Sequence, residues 1–171
     1  MMTTVRKKLV QDNVFRPKGD KLLHILSLSK SSSQKEDSYL CISVTREKEV
    51  QISHLQIRRM GTTDMYERLK VWHLKDLVLV DGRDAMEDNP HFDMHFSDVC
   101  SWEAFSTASK YEFARCLRKM SKTYYKKDLR FIHFDNDFIE DVRHYEVPED
   151  TMLVLKMCLQ AFNCVCLLGC L

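Results

Sequence analysis

Between residues 21 and 106 the apolar positions recur mostly at every second residue, the spacing of a half-buried strand. Leu26 and Leu28 alternate with Ser27 and Ser29, and Leu40, Ile42 and Val44 share one face of "SYLCISVT". In "EKEVQISHLQIRR" the apolar phase shifts between Ile52 and Leu55, which predicts a bulge. Gly61 builds the turn "MGTTD". The fourth strand, "MYERLKVWHL", is predicted to present Leu69 and Val71 on one side and Tyr66, Arg68, Lys70 and Trp72 on the other. "LVLVDG" reads as a fifth strand and "CSWEAFST" as a seventh. Between them, "HFDMHFS" sets Phe92, Met94 and Phe96 against Asp93 and His95.

The period then changes. Phe113, Leu117, Met120 and Tyr124 recur at steps of four, three and four, an amphipathic helix with Thr107 or Ser109 as its cap. Upstream, "VRKKLVQDNVF" reads as a short basic amphipathic helix and "FRPKGD" as a turn. Closely spaced strands followed by one helix, without βαβ alternation, predict a mostly β fold with flanking α. The expected form is a seven-stranded antiparallel sandwich or partly open barrel, capped by a C-terminal helix. Its expected core includes Leu26, Leu40, Ile42, Leu69, Val71, Trp72, Leu77, Phe96, Phe113 and Leu117. The organisation expected is an N-terminal helix and turn over 1–20, a domain over 21–134 and a tail over 135–171.

That tail begins acidic, "DNDFIEDVRHYEVPED", and ends in "MLVLKMCLQAFNCVCLLGCL". Sixteen of those last twenty residues are apolar, so length alone would allow a bilayer span, but Gln160 and Asn163 fall in its middle. Three readings stay open: a helix packed on a partner or the domain, a membrane-associated tail with acylated thiols, and a disordered tail. Seven Cys with no signal peptide argue for free thiols in a reducing compartment. Cys41, Cys100 and Cys116 read as small core residues. Cys158, Cys164, Cys166 and Cys170 crowd the end, and without a second cluster they are a poor soft-metal site.

No reaction asks to be assigned. With four isolated Gly there is no phosphate loop or dinucleotide fingerprint, and no G-x-S-x-G, H-E-x-x-H or catalytic Cys–His pattern occurs. His73, His91 and His95 lack zinc-like spacing. The Asp residues of "VDGRD" and "EDNP" sit where side chains bond their own backbone in turns, with Gly82 tolerating a positive φ. The expectation is a protein that is not an enzyme, without catalytic residues, cofactor or metal.

Net charge is +1, so only its distribution carries information. Residues 108–130 hold eight Lys/Arg against two acids, whereas 84–98 hold five acids and no Lys or Arg. This suits a basic face meeting an anionic surface, or a mixed solvated exterior. Lys30 and Lys35 flank the first hairpin loop, Arg58 and Arg59 end the third strand, and Arg68 and Lys70 share a face of the fourth. Gathered at one open rim, these six cations would form a phosphate-binding site of the kind a membrane-surface module needs. Nucleic acid is the competing anion, but apart from Tyr66 the interleaved aromatics it would stack on are missing.

"VWHLKDLVLVD", "NPHFDMHF", "FRPKGDKLLHI", "YLCISVT" and "STASKYEFARCLRKMSKTYYKKDLRFI" together resemble the N-terminal pleckstrin-homology domain of the exocyst complex component 1 family. The chain also resembles the short form of the family, which lacks the long helical rod. The resemblance runs from about Val5 to about Phe134. It implies a phosphoinositide-binding, peripheral membrane module. Its implied ligand is phosphatidylinositol 4,5-bisphosphate at the cytoplasmic face of the plasma membrane, in the tethering of Golgi-derived exocytic vesicles. It implies as an alternative a protein-interaction module, binding a Rho-family GTPase or exocyst subunits, with weak or lost lipid affinity. The family carries a lysine run in its first hairpin loop. Here "SKSSSQKED" keeps Lys30 and Lys35 but adds Glu36 and Asp37, which predicts weakened lipid binding.

Overall fold

The computed structural model describes residues 2–29, 36–61 and 63–139. The strands β1 (Lys21–Ser27), β2 (Asp37–Val44), β3 (Val50–Met60) and β4 (Thr63–His73) form one antiparallel sheet in that order. The strands β5 (Leu79–Asp81), β6 (His91–His95), β7 (Val99–Glu103) and β8 (Arg130–Ile132) form a second sheet ordered β7-β6-β5-β8. Helix α1 (Met2–Val10) precedes the first sheet and α2 (Thr107–Met120) follows β7. β8 comes after α2 and pairs parallel to β5, one strand more than the alternation pattern predicts. Three residues long, it is too short to show a period.

The main core lies between the sheets and under α2. Leu26, Leu40, Ile42, Ile52, Leu77, Phe92 and Met94 meet Phe113, Ala114 and Leu117 of the helix. A second cluster covers the outer face of the first sheet, where Val10, Val14 and Phe15 pack on Leu22, Ile25, Tyr39, Cys41, Leu55 and Ile57. β2 is therefore covered on both faces: Leu40 and Ile42 point to the sandwich, Tyr39 and Cys41 to the N-terminal segment. The phase shift in β3 has the same origin. Val50 and Ile52 face the sandwich, whereas Leu55 and Ile57 face α1 and the turn after it.

The register does slip where that shift predicts, between His54 and Leu55, but the extra residue is Leu69 on β4. This reverses the expected faces of the second half of β4. Leu69 and Val71 are 45% and 42% exposed, so neither belongs to the core. Trp72 turns inward instead, half-buried, and stacks on Phe96 with ring centres 5.6 Å apart. Of the remaining expected core positions, Leu26, Leu40, Ile42, Leu77, Phe113 and Leu117 are buried, and Phe96 is half-buried against the core.

Other local readings need correction. The cap of α2 is Ser106, one residue before Thr107. Its hydroxyl accepts from the Ser109 N–H at 3.2 Å, while the Ser109 hydroxyl accepts from the Ser106 N–H at 3.1 Å. In "VDGRD" the positive φ falls on Arg83, at 64°, and not on Gly82. Gly82 is needed for space, since a side chain there would strike the His133 carbonyl and the Phe134 ring. The turns themselves are closed by side chains as expected: Asp81, Asp84 and Asn89 accept backbone N–H groups at 2.8, 2.8 and 2.9 Å.

Lys110 lies in the basic helix but does not contribute to its surface. It is 1% exposed, and its Nζ donates to the carbonyls of Gly82, Asn89 and His91, pinning the β5–β6 loop to α2. Burial pushes its pKa down, opposed by Asp84 and Asp88. The acidic stretch beyond Ile139 and the apolar tail, with Cys158, Cys164, Cys166 and Cys170, fall outside the described residues. No helix among the described residues is long and apolar enough to cross a membrane.

Candidate functional site

Where β1 ends and β2 begins, Ser27, Leu28, Ser29, Asp37, Ser38 and Tyr39 line a groove of about 490 Å³, closed on its flanks by Arg6 and Phe105. The fold brings these together for separate reasons. Val10 and Phe15 anchor the N-terminal segment on the outer face of the first sheet. Arg6, a turn earlier on α1, thereby reaches Asp37 at 3.1 Å and Asp64 at 3.5 Å, with its guanidinium 5.9 Å from the centre of the Tyr39 ring. Phe105 is held by its N–H, which donates to the Ser27 carbonyl at 2.9 Å, where Leu28 bridges to Ala104 and joins the two sheets.

The groove is lined by Arg6, whose guanidinium is already held by Asp37 and Asp64, and by three serines, Ser27, Ser29 and Ser38. The Ser38 hydroxyl lies 2.8 Å from Nε2 of His54, whose pKa burial pushes below its ordinary value. Such a set suits a ligand rich in phosphate and hydroxyl oxygens, with the guanidinium for charge and the hydroxyls for orientation. Asp37 in the wall limits how much negative charge the groove tolerates.

The six cations predicted from sequence do not form one cluster. Lys30 and Lys35 fall outside the described residues. Arg58 and Arg59 stand at the same end of the sheet as the groove but alternate across β3. Arg58 is engaged by Glu36, with Nε 2.6 Å from the carboxylate, and lies 3.9 Å from Glu67. Arg59 is the more open, 82% exposed and 4.0 Å from Asp64. Arg68 is not on the rim. It lies under the N-terminal segment, 12% exposed, 5.0 Å over the Phe15 ring and 3.9 Å from Asp20. It donates to the hydroxyl of Ser53 at 2.7 Å and to Gln51 at 3.3 Å. The bulge at Leu69 then sends Lys70 to the opposite face, beside His54 in register and 5.1 Å over the Trp72 ring. Lys70 remains exposed.

Arg6 was missed as a site residue. Its only sequence signal is the basic helix "VRKK", and nothing there shows which strand that helix covers. Burial pushes the Cys41 thiol up to about 12 and the Cys116 thiol up to about 11, so both stay protonated at neutral pH. Among the described residues no group of three His, Cys, Asp or Glu side chains is placed to hold a metal ion.

Two sheets packed around one core, a helix across the sandwich and a polar groove at the first hairpin define a module of the pleckstrin-homology-like class. A family model described as exocyst complex component SEC3 N-terminal PIP2 binding PH matches residues 33–123, and the chain belongs to that family. Exocyst complex component 1-like from Mus musculus is 37% identical over 170 residues, covering 99% of this chain and 98% of that protein. Exocyst complex component 1 from Mus musculus is 35% identical over 140 residues, 82% of this chain but only 16% of that longer protein. Exocyst complex component 1 from Drosophila melanogaster is 24% identical over 114 residues, 66% of this chain and 13% of that protein.

Proposed function

We propose that the groove between Ser27–Ser29 and Asp37–Tyr39 receives the bisphosphorylated inositol headgroup of a membrane lipid, and that the protein is a peripheral membrane module and not a catalyst. The observation that carries this reading is the placement of Arg6 and three serines around one groove, at the end of the sheet that also bears Arg58 and Arg59. Family membership supports it, since the matching model is named for binding this lipid. Lys30 follows Ser29 and Lys35 stands two residues before Asp37 in sequence, and both would add charge. The setting proposed is the inner face of the plasma membrane, in exocyst-linked vesicle tethering, in keeping with the names of the relatives. Titration of the labelled protein with soluble inositol trisphosphate tests the site. The amide signals of Ser27, Ser29, Ser38 and Phe105 should shift together. Shifts confined to the other end of the sandwich would place the ligand elsewhere.

One observation favours a second reading. Glu36 holds Arg58, and Asp64 stands beside Arg59, so the rim cations are partly neutralised by the chain's own acids. A module with that rim would bind lipid weakly and serve chiefly as a protein-interaction surface, for an exocyst subunit or a Rho-family GTPase. Pull-down with purified candidates, alongside the lipid titration, separates the two.

A further inference from the structure

Phe105 is 78% exposed, yet nothing about its backbone is loose. Its N–H is bonded to the Ser27 carbonyl at 2.9 Å. Ala104 before it is buried, bridged to Leu28, and donates to the Pro90 carbonyl at 3.0 Å. Ser106 after it caps α2. A phenyl ring is thus displayed to water from a fixed corner between the sheets, on the lip of the headgroup groove. Met60 and Met65, 62% and 53% exposed, lie at or near the β3–β4 turn, at the same end of the first sheet. Exposed single apolar side chains are common on proteins. Here three occur at the end that also carries Arg6, Arg58 and Arg59.

We infer that Phe105 is a membrane anchor: it enters the interfacial layer of the bilayer beside the lipid whose headgroup fills the groove, with Met60 as a second contact. This rests on the headgroup reading above. A rigid aromatic at the lip loses little conformational freedom on insertion, and its transfer out of water adds to the cation–phosphate attraction. On this account the groove, with one guanidinium and one wall carboxylate, should hold a membrane lipid better than the same headgroup free in solution.

The test uses the full chain with phosphatidylcholine vesicles containing phosphatidylinositol bisphosphate, and separately with soluble inositol trisphosphate. Phe105→Ala should weaken vesicle binding by roughly tenfold, the order expected for one phenyl ring kept in water, and weaken soluble headgroup binding far less, since the ring only flanks the groove. Phe105→Trp should bind vesicles with a blue-shifted emission that brominated acyl chains quench. If Phe105→Ala binds vesicles like wild type, or Phe105→Trp binds without quenching, the ring stays outside the bilayer and the anchor is wrong while the headgroup site stands. Equal losses for vesicles and soluble headgroup would mean that Phe105 acts only as a wall of the groove, which overturns the anchor. Wild-type protein that binds neither ligand removes the headgroup reading, and the anchor with it.

Discussion

The Nε of Arg58 lies 2.6 Å from the carboxylate of Glu36, so the residue that closes the first hairpin loop neutralises the cation at the end of β3. Both side chains are partly exposed, at 49% and 28%, and the pair itself contributes little to stability. Its consequence is for binding, because it withdraws one positive charge from the rim.

Releasing that charge should strengthen membrane attachment. A cation near an anionic surface contributes about 1 kcal/mol, so Glu36→Gln should raise affinity for bisphosphate-containing vesicles about fivefold, and Glu36→Lys should raise it further. Vesicle co-sedimentation at fixed salt reads this directly. Unchanged affinity would mean that the rim beside β3 does not face the membrane.

Arg68 should behave as a structural residue. Arg68→Ala removes its bonds to Ser53 and Gln51, its packing on Phe15 and the counter-charge to Asp20. The expected cost is about 1.5–3 kcal/mol in urea unfolding, with vesicle binding of the folded protein unaltered. A stable variant with weaker lipid binding would return Arg68 to the site.

Two leucines separate the true core from the one the alternation pattern suggests. Leu117→Ala should cost about 2–5 kcal/mol, since the residue is fully buried under α2, whereas Leu69→Ala should stay within about 0.5 kcal/mol. Equal costs would mean that the bulge on β4 is misplaced.

What the sequence shows and what it hides follow one physical line. Strands and helices with a single covered face declare themselves by period. Phe113 and Leu117 mark α2, and Phe92 and Met94 mark β6. The first sheet is covered on both sides, and which side is covered depends on where α1 lands, a long-range fact without a local signature. That is why Arg68 reads as a rim cation and Arg6 does not read as a site residue. The fourth strand misleads for a second reason: one inserted residue, Leu69, exchanges the faces beyond it, so Val71 is exposed and Trp72 half-buried. Lys110 is hidden in the same way, since only the folded β5–β6 loop supplies the three carbonyls that receive it.

Acid should destabilise the fold before its carboxylates titrate. Burial pushes the pKa values of His24 and His54 below the ordinary value of 6.5, partly opposed at His24 by Glu112. Between that value and the lower folded values the unfolded chain binds protons that the native chain does not, so stability falls as pH drops below 6.5. The slope approaches about 1.4 kcal/mol per pH unit for a fully protected histidine and is shallower for a half-buried one. Urea midpoints taken from neutral pH down to about pH 5 should show it, and His24→Gln should flatten it. A pH-independent midpoint over that range would contradict the lowered pKa values of both rings.

The most direct measurement is co-sedimentation of the full chain with phosphatidylinositol bisphosphate vesicles at low and physiological salt, beside phosphatidylserine vesicles of equal charge. Ser29→Asp, which places a carboxylate in the groove wall, and Glu87→Lys, outside the groove, serve as variants. Wild-type protein should prefer the bisphosphate and lose affinity as salt screens the rim. Ser29→Asp should abolish the preference, and Glu87→Lys should keep it. A Ser29→Asp protein that still distinguishes the two vesicles would show that the headgroup is bound somewhere other than the groove.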